Sequence, residues 1–106
     1  MLSACGYSLA ADVDKSLHGT WKGDTVGSCA EIKNYTTDYY VIIQRNKIEF
    51  HEGTCLVRKS TKKGKVHTVS GFCESEGMTQ SFSRRFQLEG KNRLLVDGKY
   101  RYDRCK

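Results

Sequence analysis

The stretch CLVRKSTKKGKVHTVSGFC (residues 55–73) decides the fold. Its centre, residues 61–65, is rich in Lys, Thr and Gly, and short runs that contain β-branched residues lie on both sides. This pattern is typical of a β-hairpin. Folding the chain back at its midpoint, Gly64, places the two end cysteines opposite one another, close to the separation that a disulfide needs. We therefore predict a hairpin closed by a Cys55–Cys73 disulfide.

Short segments of the same kind recur along the rest of the chain. Gly, Asn and Asp separate them, as in the hairpin signal Asp97-Gly98. No long window repeats apolar residues at helical spacing. Many short strands joined by tight turns predict an all-β domain, either an antiparallel barrel or a sandwich. The predicted strands cover residues 19–23, 29–33, 39–44, 47–51, 54–59, 66–73, 79–88, 93–97 and 99–104.

Length and composition indicate one small basic domain. The chain has 106 residues, with 18 Lys and Arg against 12 Asp and Glu, so its formal net charge is +6. This length suits a single domain, which we place at residues 12–106. The charged fraction of 28% and the hydrophobic fraction of 38% are typical of a soluble globular protein and exclude a disordered or fibrous one.

The cysteines indicate an oxidising compartment. There are five, and no two are spaced as C-x-x-C, so the zinc-ribbon and thioredoxin-type patterns are missing. Once Cys55 and Cys73 are paired, elimination leaves Cys29 with Cys105, a bridge that closes a long loop. The fifth cysteine, Cys5, lies in a terminal segment with no charged side chain.

That terminal segment, residues 1–11, resembles processing sequence. Leu2-Ser3-Ala4-Cys5 is similar to a bacterial lipobox, which makes Cys5 a lipidation candidate, whereas Ser8-Leu9-Ala10 is similar to an ordinary signal-peptidase site. A third interpretation is a terminal tail with an incidental cysteine. Both export interpretations agree with two disulfides, so we predict a periplasmic protein or an outer-membrane lipoprotein, attached to a membrane only through Cys5.

A further resemblance concerns the first and last strands. Gly19-Thr20-Trp21 opens the first predicted strand, and Arg101 and Arg104 lie on the last. This combination resembles the calycin signature, in which an arginine of the final strand packs over a tryptophan of the first. It is similar to small bacterial periplasmic barrels, the serralysin-type metalloprotease inhibitors and the lysozyme inhibitors. The resemblance implies a barrel of seven to nine short strands. The Ser-Gly-x-x-Tyr motif of C-type lysozyme inhibitors and the Ser-led N-terminal trunk of the protease inhibitors are both missing.

The tip of the predicted hairpin is a candidate binding site for an anionic partner. Five cations lie within eight residues there: Arg58, Lys59, Lys62, Lys63 and Lys65. They suit an acidic protein surface or an anionic envelope component such as lipid A phosphates or acidic polysaccharide. The alternative is a solvated turn that keeps a sheet edge unpaired. Nucleic acid is not expected as a partner of an exported protein, and no aromatic residues alternate with these cations to stack on the bases of a single strand.

A second group of candidate residues could face a ligand. Arg84 is predicted to lie on the same strand face as Phe82 and Phe86. A buried guanidinium needs a partner, so it either pairs with Glu49 or Glu74 or marks a polar spot in a ligand cavity. Tyr100 and Tyr102 share a strand face, which suits core packing or a recognition patch.

Catalytic and metal sites are not predicted. His18, His51 and His67, with Glu49 and Glu52, follow no metal-site spacing. Glu74 and Glu76 lie in a predicted turn, and no nucleophile or phosphate-loop motif is present. We therefore expect neither enzymatic activity nor a cofactor.

These observations predict a non-enzymatic binding module, an inhibitor-like or immunity-like protein that docks on another protein. Its basic charge favours an acidic target and argues against strongly basic lysozymes. The alternative is a small-ligand or lipid carrier with an apolar calyx, in which Arg84 meets an anionic head group. A barrel pocket of about 300 Å³ or more would favour the carrier, and a filled core with a basic, tyrosine-rich outer face would favour the protein binder.

Overall fold

The computed structural model describes residues 12–34 and 37–106. Eight antiparallel strands form a closed barrel, each paired with its neighbour in sequence, and the last strand closes on the first. The predicted all-β barrel is confirmed. Residues 1–11 lie outside the described residues, and with them the predictions about Cys5. The strands are β1 (Gly19–Gly23), β2 (Tyr40–Ile43), β3 (Lys47–Phe50), β4 (Gly53–Lys63), β5 (Val66–Ser75), β6 (Met78–Leu88), β7 (Arg93–Val96) and β8 (Tyr100–Arg104).

Both predicted disulfides are confirmed. Cys55 and Cys73 are register partners on β4 and β5 and are bonded to each other. Cys29 is bonded to Cys105 across 76 residues of sequence, with their Cα atoms 5.9 Å apart. The second bridge therefore ties the segment after β1 to the end of β8.

The predicted strand at residues 29–33 is wrong, because this segment forms the short helix α1 (Ala30–Lys33). The main-chain N–H of Ser28 donates to the Glu31 carboxylate at 2.9 Å, while the Ser28 carbonyl accepts from the Glu31 N–H at 3.2 Å. A serine followed three residues later by a glutamate is a helix-start signal. That local signal, together with Cys29 held by its disulfide, outweighs the alternation of polar and apolar residues.

The central hairpin is longer than predicted, and its turn is tighter. β4 and β5 pair up to Lys63 and Val66, which leaves a two-residue turn at Gly64-Lys65 with a positive φ at Gly64. If β4 and β5 paired without interruption from that turn, Cys55 would lie opposite Glu74. A β-bulge at Arg58 adds one residue to β4 and restores the register that joins Cys55 to Cys73.

Inward-facing side chains fill the barrel. Trp21 and Phe86 are fully buried, and Leu17 of a 3₁₀ helix (Lys15–Leu17) covers the lower end, which we define as the end with the β2–β3 and β4–β5 turns. The indole N–H of Trp21 donates to the Leu17 carbonyl at 3.0 Å. The other members of the core are Val13, Val41, Ile43, Ile48, Cys55, Val57, Val69, Leu94, Val96 and Tyr102.

Strands β4, β5 and β6 extend beyond their neighbours. β3 pairs with β4 only as far as Leu56, and β7 pairs with β6 only at residues 86–88. The lower part of β4 and the upper part of β6 are therefore edges of a three-stranded sheet. Among the described residues, no helix has the length and apolar character needed to cross a membrane.

Candidate docking face and barrel mouth

The outward side of β4, β5 and β6, which we call the outer face, has an apolar centre. Register partners on antiparallel strands point to the same side. Leu56 and Phe72 are such partners, and their exposed fractions are 45% and 49%. On the inner side of the same strands, the neighbouring residues Cys55 and Cys73 form a disulfide. The apolar pair therefore lies on backbone that is covalently fixed.

Cations flank this apolar pair on its lower side. Lys59 and Lys63 follow Leu56 on the outer side of β4, below the bulge. Arg85 lies on the outer side of β6, in register with Thr68 of β5. All three cations are exposed. The outer face thus combines an apolar centre with a basic lower half.

The five cations of the predicted basic tip do not share one surface. Lys59 and Lys63 are on the outer face, whereas Lys62 pairs in register with the buried His67 and points to the opposite side of the sheet. Arg58 is the bulge residue, and Lys65 lies in the turn. The sequence therefore predicted a charged hairpin correctly but did not predict how its charges divide between two faces.

Lys62 belongs to a small group of titratable residues near the N-terminal 3₁₀ helix. Burial lowers the pKa of His67, an effect that the Asp14 charge opposes and the Lys62 charge reinforces. The pKa of Asp14 is also lowered, chiefly because its carboxylate accepts hydrogen bonds from the hydroxyl and main-chain N–H of Ser16. This arrangement favours a neutral imidazole beneath the hairpin.

The upper end of the barrel opens into two adjoining grooves, which we call the mouth. Arg84, Tyr100 and Tyr102, the three candidate ligand-facing residues, line one groove of about 580 Å³ together with Phe50. Phe50 and Arg84 also line the second groove, of about 420 Å³. The structure therefore brings the three predicted residues together, above a core that side chains already fill.

The predicted ion pair between Arg84 and Glu49 or Glu74 is wrong. Arg84 lies on the inner side of β6, opposite Val69, whereas both glutamates alternate to the outer side of their strands. The guanidinium instead lies 3.6 Å from the Asp97 carboxylate, and its side chain is 45% exposed. An exposed ion pair of this kind adds little to the stability of the fold. Because the Arg84 side chain is partly exposed, it is accessible from the mouth.

The two candidate tyrosines occupy different depths. Tyr100 is 46% exposed at the rim, and Tyr102 is 9% exposed below it. Burial, reinforced by the neighbouring Tyr39, raises the pKa of Tyr102 to about 12. The Tyr39 ring lies 4.9 Å from the Tyr102 ring in an edge-on arrangement, and its hydroxyl donates to the Arg101 carbonyl.

Of the carboxylates and histidines that could support chemistry, His51, Glu52, Glu74 and Glu76 line one surface groove. Glu74 lies on β5 rather than in the predicted turn, while Glu76 lies in the β5–β6 turn with a positive φ. Within residues 12–34 and 37–106, no three His, Cys, Asp or Glu side chains are grouped to hold a metal ion.

Sequence reasoning missed the apolar pair of the outer face. Leu56 and Phe72 are the neighbours of the two cysteines on the loop side of the predicted disulfide. The predicted pairing of Cys55 with Cys73 also places Leu56 opposite Phe72, with both side chains on the side of the hairpin that faces away from the disulfide. The same register could therefore have identified an exposed leucine beside an exposed phenylalanine.

Comparison of this chain with protein-family models, with curated proteins and with solved structures finds no match. Arg104 does lie over Trp21, with its guanidinium carbon 4.2 Å from the ring centroid, and Arg101 is exposed. Without a matching family, the resemblance to calycins stays a prediction.

Proposed function

We propose that the chain is a non-enzymatic binding module that docks on an acidic protein through its outer face. The observation that carries the proposal is the exposed pair of Leu56 and Phe72 at the centre of that face. Protein interfaces commonly place an aromatic and an aliphatic side chain at the centre and charged groups around them. The outer face has this composition.

The charges around the pair favour an acidic partner. Lys47 is the register partner of Leu56 on β3, and Lys59, Lys63 and Arg85 lie below it. Within the part of the chain that the structure describes, none of these four side chains is within ion-pair distance of a carboxylate. With a net charge of +6, the domain attracts acidic surfaces at long range.

The row of outward-facing residues above the apolar pair, which crosses β3, β4 and β5, has the opposite charge. Glu49 and Glu74 flank Thr54, with which both are in register. A partner therefore meets acidic groups above the apolar pair and basic groups below it. This polarity favours one orientation of the partner, because the reverse orientation would juxtapose like charges.

The frame beneath the outer face is rigid. The Cys55–Cys73 disulfide crosses β4 and β5 directly behind the apolar pair. A surface that is already ordered loses little conformational freedom on binding, which favours affinity. The disulfides also support a function outside the cytosol, in the periplasm or on the outer membrane of a bacterium.

The test is affinity capture from an envelope extract of the source cells, followed by binding measurements with the purified captured protein. A variant that carries Leu56→Ser and Phe72→Ser should bind at least about tenfold more weakly. A variant that carries Lys59→Glu, Lys63→Glu and Arg85→Glu should associate more slowly, and added salt should slow the wild type in the same way.

Two matched controls make the test specific. Lys62→Glu changes one charge on the opposite side of the hairpin, and Tyr100→Ser removes an exposed aromatic ring at the mouth. Both variants should bind as the wild type does. A partner that binds the Leu56→Ser, Phe72→Ser variant with unchanged affinity would contradict the proposal, as would a captured partner with a basic binding surface.

The second candidate function is a small-ligand carrier that uses the mouth. It is favoured by the convergence of Arg84, Tyr100 and Tyr102 on one groove of about 580 Å³. The filled core leaves the ligand at the rim rather than inside the barrel. An anionic aromatic or acyl ligand that binds the wild type, and loses affinity on Arg84→Gln but not on Phe72→Ser, would identify this function instead.

A further inference from the structure

The upper part of β6 is an open strand edge. From Met78 to Arg84, β6 pairs with β5 on one side, and β7 joins its other side only at Phe86. No other described strand pairs with this segment. Its six residues from Met78 to Ser83 include no charged side chain and no proline.

The unpaired main-chain groups of this edge can be identified. The Arg85 carbonyl accepts from the Asp97 N–H at 2.8 Å, and the Arg85 N–H donates to the Asp97 carboxylate at 3.0 Å. Both main-chain groups of Arg85 therefore point away from β5. Because this direction alternates along a strand, the N–H and C=O groups of Thr79, Ser81 and Ser83 also point to the open side.

The other edge of the same sheet is protected. The lower part of β4 contains a bulge at Arg58 and then Lys59, Lys62 and Lys63. Bulges and lysines are the devices that keep sheet edges from pairing with other chains. The edge of β6 from Met78 to Ser83 has neither. One sheet thus has a blocked edge and an edge that is suited to pairing.

We infer that the β6 edges of two copies of this chain pair antiparallel about a two-fold axis at Gln80. This register places Gln80 opposite its own copy and Met78 opposite Phe82 of the second copy. It also brings Glu76 of one copy to the end of the strand where Arg84 of the other copy lies. Opposite charges and apolar side chains therefore meet at both ends.

Neighbouring two-fold registers lack this complementarity. An axis at Ser81 places Arg84 opposite Met78, and an axis at Phe82 places Arg84 opposite Gln80. Among these registers, only the axis at Gln80 brings Glu76 of one copy near Arg84 of the other copy. The pairing joins two three-stranded sheets into one continuous sheet through main-chain hydrogen bonds, the mode known as β-augmentation. It uses backbone groups rather than Leu56 and Phe72, so it does not depend on the proposed docking function.

The first test is a disulfide cross-link in the full chain. Cys5→Ser is used as the background, so that no interchain bond forms through Cys5. In that background Gln80→Cys should form an interchain disulfide on mild oxidation, because facing residues at a non-hydrogen-bonded position have close Cβ atoms. Position 80 is in register with Cys73, whose disulfide could exchange with the new thiol, so peptide mapping must show that the interchain bond joins the two introduced cysteines. Ser81→Cys, its matched control, should cross-link far less.

The second test uses charge at the same position. Sedimentation velocity of the Cys5→Ser chain should show a monomer–dimer equilibrium that depends on concentration. Gln80→Lys and Gln80→Glu should each be monomeric, because like charges meet at the axis, and an equimolar mixture of the two should restore the dimer. Thr61→Lys, on the blocked edge of β4, should leave the equilibrium unchanged.

Hydrogen exchange provides an independent measurement. The amide protons of Thr79, Ser81 and Ser83 should become protected as the concentration of the chain rises, whereas those of β6 that bond to β5 should be protected throughout. A chain that stays monomeric with these three amides unprotected would overturn the inference. The edge would then pair with a different extended chain or with no chain. A dimer unaffected by Gln80→Lys, or one that cross-links through Ser81→Cys instead, would also overturn it.

Discussion

The guanidinium of Arg104 lies over the ring of Trp21 and donates hydrogen bonds to the carbonyl oxygens of His18 and Ser16 at 2.8 and 2.9 Å. A third bond runs from its Nε to the Lys91 carbonyl at 3.0 Å. One side chain of the last strand thus holds the first strand and the segment around the N-terminal 3₁₀ helix together. It fixes the lower end of the barrel.

Replacing this arginine should destabilise the domain. Arg104→Ala removes the cation–π contact and three hydrogen bonds from a charged donor, so we expect a loss of about 2–4 kcal/mol in the free energy of unfolding. Arg104→Lys should recover only part of it, because an ammonium cannot reproduce the planar set of donors. Urea unfolding followed by the fluorescence of Trp21, the one tryptophan, measures both changes.

Arg101→Ala is the matched control. Arg101 is exposed and points to the side of β8 opposite to Arg104. Its replacement should change the free energy of unfolding by no more than about 0.5 kcal/mol. If Arg101→Ala and Arg104→Ala are equally destabilising, the contacts of Arg104 do not fix the lower end.

This pair of arginines shows what the sequence can predict about the last strand and what it cannot. The resemblance to calycins implies an arginine of the last strand over Trp21, and Arg101 and Arg104 are the two candidates. Alternation along β8 assigns the two to opposite sides, but only the closure of β8 on β1, with Trp21 in register with Arg104, decides which side faces inward. That closure depends on contacts between residues far apart in sequence.

The hairpin shows a similar limit. The midpoint of Cys55 and Cys73 predicted their disulfide correctly. It did not reveal that a two-residue turn and a bulge at Arg58 together produce that register. The alternation of polar and apolar residues at 29–33 favours a strand, whereas the hydrogen bonds between Ser28 and Glu31 and the disulfide of Cys29 accompany a helix there.

Gly71 should be intolerant of any side chain. It lies opposite the bulge, as the register partner of Val57, and a Cβ atom there would overlap the Leu56 carbonyl oxygen and lie 3.0 Å from the Arg58 nitrogen. Backbone atoms cannot move aside as a flexible side chain can. We expect Gly71→Ala to reduce the free energy of unfolding by about 1–3 kcal/mol.

Ser70→Ala, at the adjacent position, is the control for Gly71→Ala. It removes a hydroxyl from the outer face without adding bulk, so its effect should stay within about 0.5 kcal/mol. Chemical denaturation of the two variants under oxidising conditions gives the comparison. Equal stability of Gly71→Ala and Ser70→Ala would mean that the bulge adapts to a methyl group.

His67 should make folding sensitive to mildly acidic pH. Burial lowers the pKa of His67 below its ordinary 6.5, so the native state favours the neutral ring and the unfolded state takes up a proton more readily. The stability that this group contributes is therefore fully present above pH 6.5 and is lost as pH falls through the lowered pKa. Asp14 titrates below its ordinary 3.8, outside this range.

The measurement is the free energy of unfolding between about pH 8 and pH 5 for the wild type and His67→Gln. The wild type should lose stability as the pH falls, and His67→Gln should show a smaller slope from a lower starting stability. His51→Gln, at an exposed histidine, should keep the slope of the wild type. Identical slopes for the wild type and His67→Gln would exclude His67 as the source.

Tyr102 should make folding sensitive to alkaline pH. Its hydroxyl has an ordinary pKa of 10.0, and burial raises the pKa of Tyr102 to about 12, so the native state retains the proton that the unfolded state releases. The resulting stability is fully present below pH 10.0 and is lost as the pH rises through 12. At about 1.4 kcal/mol for each pKa unit the full shift corresponds to about 3 kcal/mol, and solvent screening at the mouth reduces the expected loss to about 2 kcal/mol.

Tyr102→Phe keeps the buried ring and removes the titrating hydroxyl, so the stability difference between variant and wild type should shift in favour of the variant as the pH rises from 10 to 12. Unfolding by urea, with short incubations that limit disulfide exchange, gives the free energy at each pH. Tyr100→Phe is the control, because Tyr100 is 46% exposed at the rim, and its curve should run parallel to that of the wild type. A Tyr102→Phe curve that is also parallel to the wild type would show that Tyr102 ionises equally easily in the folded and unfolded chains, which its burial beneath the mouth argues against.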